Sequence, residues 1–350
     1  MISNLEKKTI LSIIIMNTHT LVYLVFGIVL SIALVFDLGL LSKKNQTITI
    51  KQALIQTFFW VGLALAFFIF LWLEGPALAA DGGIEKVAVH QLPLEFLSAY
   101  LMEWSLSIDN IFVFILIFNS FNVKEKNYSR VLLVGILMAI LFRIIFITLG
   151  VALVAQFSWL LYIFGAFLLY TGYHMFTADG DEQFDPHNSK VYKFLKKFLP
   201  LVDHDGGGKY VIRENGRPVY TTLFVVVVLL AAIDLVFALD SIPAVMGISM
   251  SSLVIYTSNI FAILGLRSLF FLLRGAVNQF EHLQQGIAIV LIFIGVKMLG
   301  EHYINMVMSK NTQVLISLLV IVFSITGSIL YSIFSNRQKN LPKNFEDNTI

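Results

Sequence analysis

The chain has 350 residues, of which 58% are hydrophobic and 13% charged, with a mean hydropathy of +0.83. Soluble domains carry about 25% charged residues, so an ordinary soluble enzyme and a disordered protein are both excluded. With 24 Lys+Arg against 22 Asp+Glu the net charge is only +2, which excludes a strongly basic nucleic-acid binder. Cys is absent, so no disulfide or thiolate metal site can be built. The class that remains is an all-α, polytopic transmembrane bundle whose partner is the lipid bilayer.

A helix needs about 20 mostly apolar residues to cross the hydrocarbon core. That window predicts nine spans, near 20–41, 54–73, 94–119, 130–150, 154–176, 221–246, 253–273, 283–300 and 312–335. Ile10 to Met16 is too short to span and reads as interfacial. No small-residue cleavage site makes it a signal peptide. Lys and Arg concentrate in alternate connections, such as Lys43 and Lys44, Lys124 to Arg130, Lys190 to Arg217, and Arg337 to Lys343. The positive-inside rule then puts the N-terminus outside and the C-terminus in the cytoplasm. Glu74 to His90 reads as an outer loop, and Glu95 and Glu301 as interfacial.

One connection is long, about 177–220. It opens acidic at Asp179 to Asp185 and continues as an amphipathic basic stretch, Lys190 to Phe198. Asp205-Gly-Gly-Gly208 reads as a flexible break. Glu214-Asn-Gly-Arg217 then turns between two short β-prone runs, predicting a hairpin. A cytoplasmic linker is the plain reading, and a partner-binding or regulatory loop is the alternative.

Spans three to five and six to eight repeat one pattern. Glu103-x5-Asp109-Asn110 matches Asp234-x5-Asp240-Ser241, with an offset of 131 residues for both acids. Arg143 then matches Arg267, and Gly172-Tyr-His174-Met175 matches Gly295-Val-Lys297-Met298. A three-span unit must re-enter from the opposite side, so the copies are inverted, a design that places transporter sites at the midplane between repeats. The expected divisions are 1–93 for spans one and two, 94–176 for the first repeat, 177–220 for the loop, 221–300 for the second repeat, and 301–350 for the last span and tail.

A carboxylate at the bilayer centre costs about 2.5–3.5 kcal/mol on insertion scales, so four of them demand compensation. Arg143 and Arg267 could each balance one as structural pairs, leaving two for protons or a cation. Six residues of helix separate the acids by about 9 Å and 120°, so a shared ion needs one acid from each helix or a broken helix. Pro243 favours a break in span six, freeing the Leu239 carbonyl beside Asp240. The candidate ligands are Asp109, Asn110, Asp240 and Ser241, with Glu103 and Asp234 nearby. All are oxygen donors suited to Mn²⁺, Mg²⁺ or Ca²⁺, and the residues do not choose among these. The same acids could instead only pin helices through the arginines. Asp37 near the inner end of span one, His174 and Lys297 are accessory positions, read more readily as end-of-helix anchors than as ligands.

No phosphate loop, dinucleotide turn or HExxH motif is present, so the chain reads as a non-enzyme with no permanently bound cofactor, driven by an ion gradient or the membrane potential. The blocks Glu103-Trp-Ser-Leu-Ser-Ile-Asp109-Asn110, Asp234-Leu-Val-Phe-Ala-Leu-Asp240-Ser-Ile-Pro243 and Thr257-Ser-Asn-Ile-Phe-Ala-Ile-Leu-Gly-Leu-Arg267, with Arg213-Glu-Asn-Gly216, resemble the TerC family over roughly residues 20–335. The resemblance implies a bacterial inner-membrane protein of the LysE-type transporter superfamily and manganese export through Glu103, Asp109, Asp234 and Asp240. The family name derives from tellurium resistance. Many members carry a further Glu where this chain has Ala231, which bears on coupling and selectivity. The expectation is a secondary Mn²⁺ exporter, by proton antiport, with homo-oligomerisation left open. The competing expectation is a membrane accessory or scaffold protein for tellurite or redox stress, or for protein insertion, acting through the loop.

Overall fold

A computed structural model of the protein describes residues 24–32, 35, 48–80, 91–177, 186–214, 216–274 and 282–339, with the side chains of 74–80, 109 and 336–339 outside that description. Asp37 and most of the first expected span lie outside the described residues. After a helical stretch over 24–32 come α1 (Ile50–Ala80), α2 (Gln91–Ser120), α3 (Glu125–Gln156) and α4 (Leu160–Thr177). The loop holds α5 (Lys190–Phe198) and strands β1 (Val211–Glu214) and β2 (Arg217–Tyr220). The chain then re-enters as α6 (Thr222–Ile248), α7 (Ser252–Leu273), α8 (Leu283–Leu299), α9 (Glu301–Val307) and α10 (Lys310–Lys339).

The fold is an all-α polytopic bundle. Among the described residues seven helices are long and apolar enough to span, or eight if α8 and α9, bent by 80°, form one broken span. The expected outer loop after Glu74 is helical as far as Ala80, because its Gly-Pro pair falls within a helix already propagated through an apolar run.

Burial sorts the helices. The α7 span window is 94% buried, whereas those of α4 and α10 are 17% buried. Helix α7 is therefore the axis, packed by α1, α2 and α3, while α6 lies against α2 and α3. Phe26, Phe67, Phe96 and Phe261 interlock around it with ring centroids 5.1–6.0 Å apart. Helices α2 and α6 run antiparallel, since Ser249, just beyond α6, donates to Glu95 near the start of α2.

Helices α4 and α8 meet through the matched glycines. A Cβ on Gly172 would lie 2.9 Å from the Ala288 carbonyl, and one on Gly295 would lie 2.8 Å from the Gly165 carbonyl. Small residues let helix backbones approach in lipid, where no hydrophobic drive joins helices. The equivalent glycines of the two halves thus line one shared interface.

The loop folds as its pattern predicts. Ser189 caps α5 by accepting from the Tyr192 amide, and β1 pairs antiparallel with β2, Glu214 opposite Arg217. The glycine run forms a turn ahead of β1. Gly206, Gly207 and Gly208 take φ of 54°, 70° and 88°, a left-handed path that glycine adopts without strain. Lys124 pairs with Asp205 at 2.9 Å, and Arg130 donates to the Gly208 carbonyl at 2.9 Å, fastening the turn to the start of α3. That pairing, led by the Lys124 hydrogen bond, holds the Asp205 carboxyl below the ordinary carboxylate value.

Candidate functional site

Glu103 sits at mid-length on α2, Arg143 on α3 and Asp234 on α6, and the crossing of these helices brings the three together. Arg143 Nη1 donates to Glu103 Oε2 and, at 2.8 Å, to Asn259 Oδ1. Its Nε and Nη2 face the two Asp234 oxygens, each at 3.4 Å. All four side chains are buried. The planar guanidinium suits this role because its fork presents donors in several fixed directions. Asn259 is itself oriented by donating from Nδ2 to the Ile255 carbonyl at 2.9 Å.

This arrangement differs from the expected one-to-one pairing. A single arginine serves the first acids of both repeats, and Arg267 is a separate buried residue on α7. The physical reason is depth. Glu103 and Asp234 each lie near the middle of antiparallel helices, so one side chain from α3 reaches both. Two carboxylates against one guanidinium leave an excess negative charge when both acids are ionised. Glu103 Oε1 is buried without a hydrogen-bond partner among the described residues.

Asp240, the second acid of α6, lies away from the triad, facing α4. Asp240 is half-buried and accepts from Thr171 Oγ1 of α4 at 3.3 Å. Its neighbour Ser241 is buried, with Oγ unpartnered among the described residues. Asn110 is likewise buried with Nδ2 unpartnered. Asp109 lies in α2, and its side chain is outside the described set. Among the described residues no three His, Asp or Glu side chains group as a metal shell.

Pro243 does not break α6. The helix runs unbroken from Thr222 to Ile248 with Pro243 buried inside it. The missing amide removes one hydrogen bond near the helix end, and packing against α2 and α3 holds the remaining turns. A small, largely apolar cavity, with about 10 Å³ of room for the centre of a water molecule, lies beside the triad. Phe114, Leu132, Ile136, Leu230 and Leu266 line it, and Asp234 is its charged wall.

The accessory positions separate. Lys297 lies in the last turn of α8 and donates to buried Ser317 on α10 at 3.2 Å, tying α8 to the last helix. His174 is exposed beside Tyr170. Glu95 is buried, accepting from Gln91 and Ser249, whereas Glu301 is half-buried and pairs with Lys310 at 3.0 Å. Sequence reasoning assigned no role to Asn259 or Thr171. Asn259 could have been found as an amide in an otherwise apolar span. Thr171 carried no such signal, because threonines in spans commonly bond their own helix.

Residues 89–340 match the integral membrane protein TerC family. A Rickettsia bellii protein named "Uncharacterized membrane protein" is 37% identical over 316 residues, covering 90% of this chain and 99% of the relative. "Uncharacterized membrane protein STKORF319" of Myxococcus xanthus is 38% identical over 287 residues, covering 82% and 85%. An Escherichia coli K12 protein named "Putative membrane-bound redox modulator Alx" is 37% identical over 312 residues, covering 87% and 94%. No solved structure matches the chain. A family match over most of the chain, with relatives aligned nearly end to end, leads to one conclusion: the chain belongs to the integral membrane protein TerC family.

Proposed function

We propose that the chain is a secondary transporter that exports a divalent cation, Mn²⁺, across the bacterial inner membrane in exchange for protons. The observation that carries this reading is the buried Glu103–Arg143–Asp234 group. Two carboxylates enclosed with one guanidinium are neutralised fully only by a further cation or a proton, and intramembrane charges of this kind mark ion pathways. Arg143 acts as a tethered counter-cation that holds the acids while no metal is present. Asp109 with Asn110 on the hairpin side of the triad, and Asp240 with Ser241 on the other side, offer hard oxygen donors in succession along the path, and Glu103 and Asp234 hold the midpoint between them. The choice of Mn²⁺ rests on the family resemblance. The loop charges orient the hairpin and C-terminus to the cytoplasm.

The test is manganese protection of a sensitive host. Wild type lowers intracellular Mn and restores growth, whereas Asp109→Asn, Asp240→Asn and Glu103→Gln do not. Equal protection by wild type and all three variants would overturn the reading. A second reading draws on the docked loop module and on the Alx relatives' name: an accessory protein that holds stress-response partners through α5 and the hairpin. It predicts loss of function when the hairpin is deleted and tolerance of carboxylate neutralisation.

A further inference from the structure

Several buried hydroxyls within the spans of this bundle return their hydrogen to a backbone carbonyl about one turn back. Ser98 bonds Leu94, Ser105 bonds Met102, Thr257 bonds Leu253 and Ser268 bonds Gly265. Ser107 and Ser241 do neither this nor anything else among the described residues, and the Asn110 amide is in the same state. All three side chains are more than nine-tenths buried. Gln56, Asn127, Ser129 and Gln285 also hold unpartnered atoms, but within the first two turns of their helices, where interfacial water is near. Ser107, Asn110 and Ser241 lie deep in α2 and α6, where an unmade hydrogen bond has no such remedy.

Their positions follow a rule. Asn110 is seven residues beyond Glu103, and Ser241 is seven beyond Asp234. Seven residues return to the same helix face within about 20° and advance about 10 Å. Ser107 falls between Glu103 and Asn110 on that face. Because α2 and α6 are antiparallel, the two lines leave the triad in opposite directions. Ser107 and Asn110 lead toward the hairpin end of the bundle, and Ser241 leads toward the other. The small cavity against Asp234 lies on the hairpin side of the triad, lined by Phe114 of α2, Leu132 to Ala139 of α3 and Leu230 of α6.

We propose that these unpartnered side chains line two hydrated half-pathways, one from each membrane face to the triad, along which the transported cation keeps part of its water shell. The proposal deepens the transport reading and rests on it. Asp109 and Asp240 lie at nearly the same depths as Asn110 and Ser241, about 120° around each helix from the first acids.

The chain contains no cysteine, so single replacements can be probed in the full-length protein without removing any native thiol. Ser107→Cys, Asn110→Cys and Ser241→Cys would be treated in oriented membranes with a charged, membrane-impermeant methanethiosulfonate. The thiolate is the reacting form and needs water. Leu116→Cys on α2 and Val236→Cys on α6 face outward and serve as lipid-facing controls. Ser107→Cys and Asn110→Cys should react at least about tenfold faster than the controls from the hairpin side, and Ser241→Cys from the opposite side. Rates equal to the controls, or the reverse sidedness, would overturn the proposal. Ser→Cys is nearly isosteric, so if Asn110→Cys fails to accumulate the two serine positions carry the test. Labelling needs no metal, so its failure is distinguishable from failure of manganese protection.

Discussion

Arg143 makes contacts to three acceptors with one charge, so its removal strands two enclosed carboxylates. Breaking a buried ion pair from one side costs about 3–5 kcal/mol. Arg143→Met should therefore lower the thermal unfolding midpoint of the purified protein in detergent, and Arg143→Lys should not restore it, because an ammonium lacks the fork that spans Glu103, Asn259 and Asp234. Asn259→Ala removes one acceptor and should cost less, about 1–3 kcal/mol. An Arg143→Met protein as stable as wild type would show that the triad does not hold the fold. The acids and arginines were legible in the sequence because a charge inside an apolar span is conspicuous. Their pairing was not. Arg143 and Asp234 are 91 positions apart, and spacing along one helix says nothing about which neighbour a side chain meets.

Helix contacts were legible to different degrees. The hairpin followed from Glu214-Asn-Gly-Arg217, and α5 from its basic amphipathic pattern, since both signals are local. The course of α6 through Pro243 was misread as a break, because the cost of one lost hydrogen bond is local while the packing that outweighs it is tertiary. The close approach of α4 and α8 follows from Gly172 and Gly295, whose matched positions could be read but whose shared interface could not. Gly172→Leu or Gly295→Leu should overpack that interface and destabilise by about 1–3 kcal/mol, seen as a lowered unfolding midpoint, whereas Gly62→Leu, with open space at its Cβ, should not. The Asp205-Gly-Gly-Gly208 turn is pH-sensitive in a defined direction. Asp205 titrates below its ordinary value when folded, so its contact is fully present above about pH 4 and is lost as pH falls through the lowered value. Proteolysis within the loop should increase on acidification below that point, and Asp205→Asn should show the increase already at neutral pH. Unchanged cleavage in Asp205→Asn would mean that the Lys124 contact does not fasten the turn.

At the scale of the whole molecule, low charge content and apolar windows were enough to establish a polytopic helical bundle. Most of the windows coincide with helices, and the described residues hold seven to eight candidate spans. What composition did not reveal was the order of burial, with α7 at the centre and α4 and α10 at the edge, because hydropathy alone does not distinguish a lipid-facing helix from an enclosed one. The excess of carboxylate over guanidinium within the Glu103–Arg143–Asp234 group is the physical core of the transport reading. Its most direct test is metal flux in proteoliposomes holding the purified full-length chain, measured for Mn²⁺, Mg²⁺, Ca²⁺ and Zn²⁺ at two external pH values. The account predicts Mn²⁺ flux that responds to the proton gradient in wild type and falls to the level of empty vesicles in Glu103→Gln and Asp240→Asn. Flux of wild type no greater than that of empty vesicles for every metal, or undiminished flux in both variants, would contradict it.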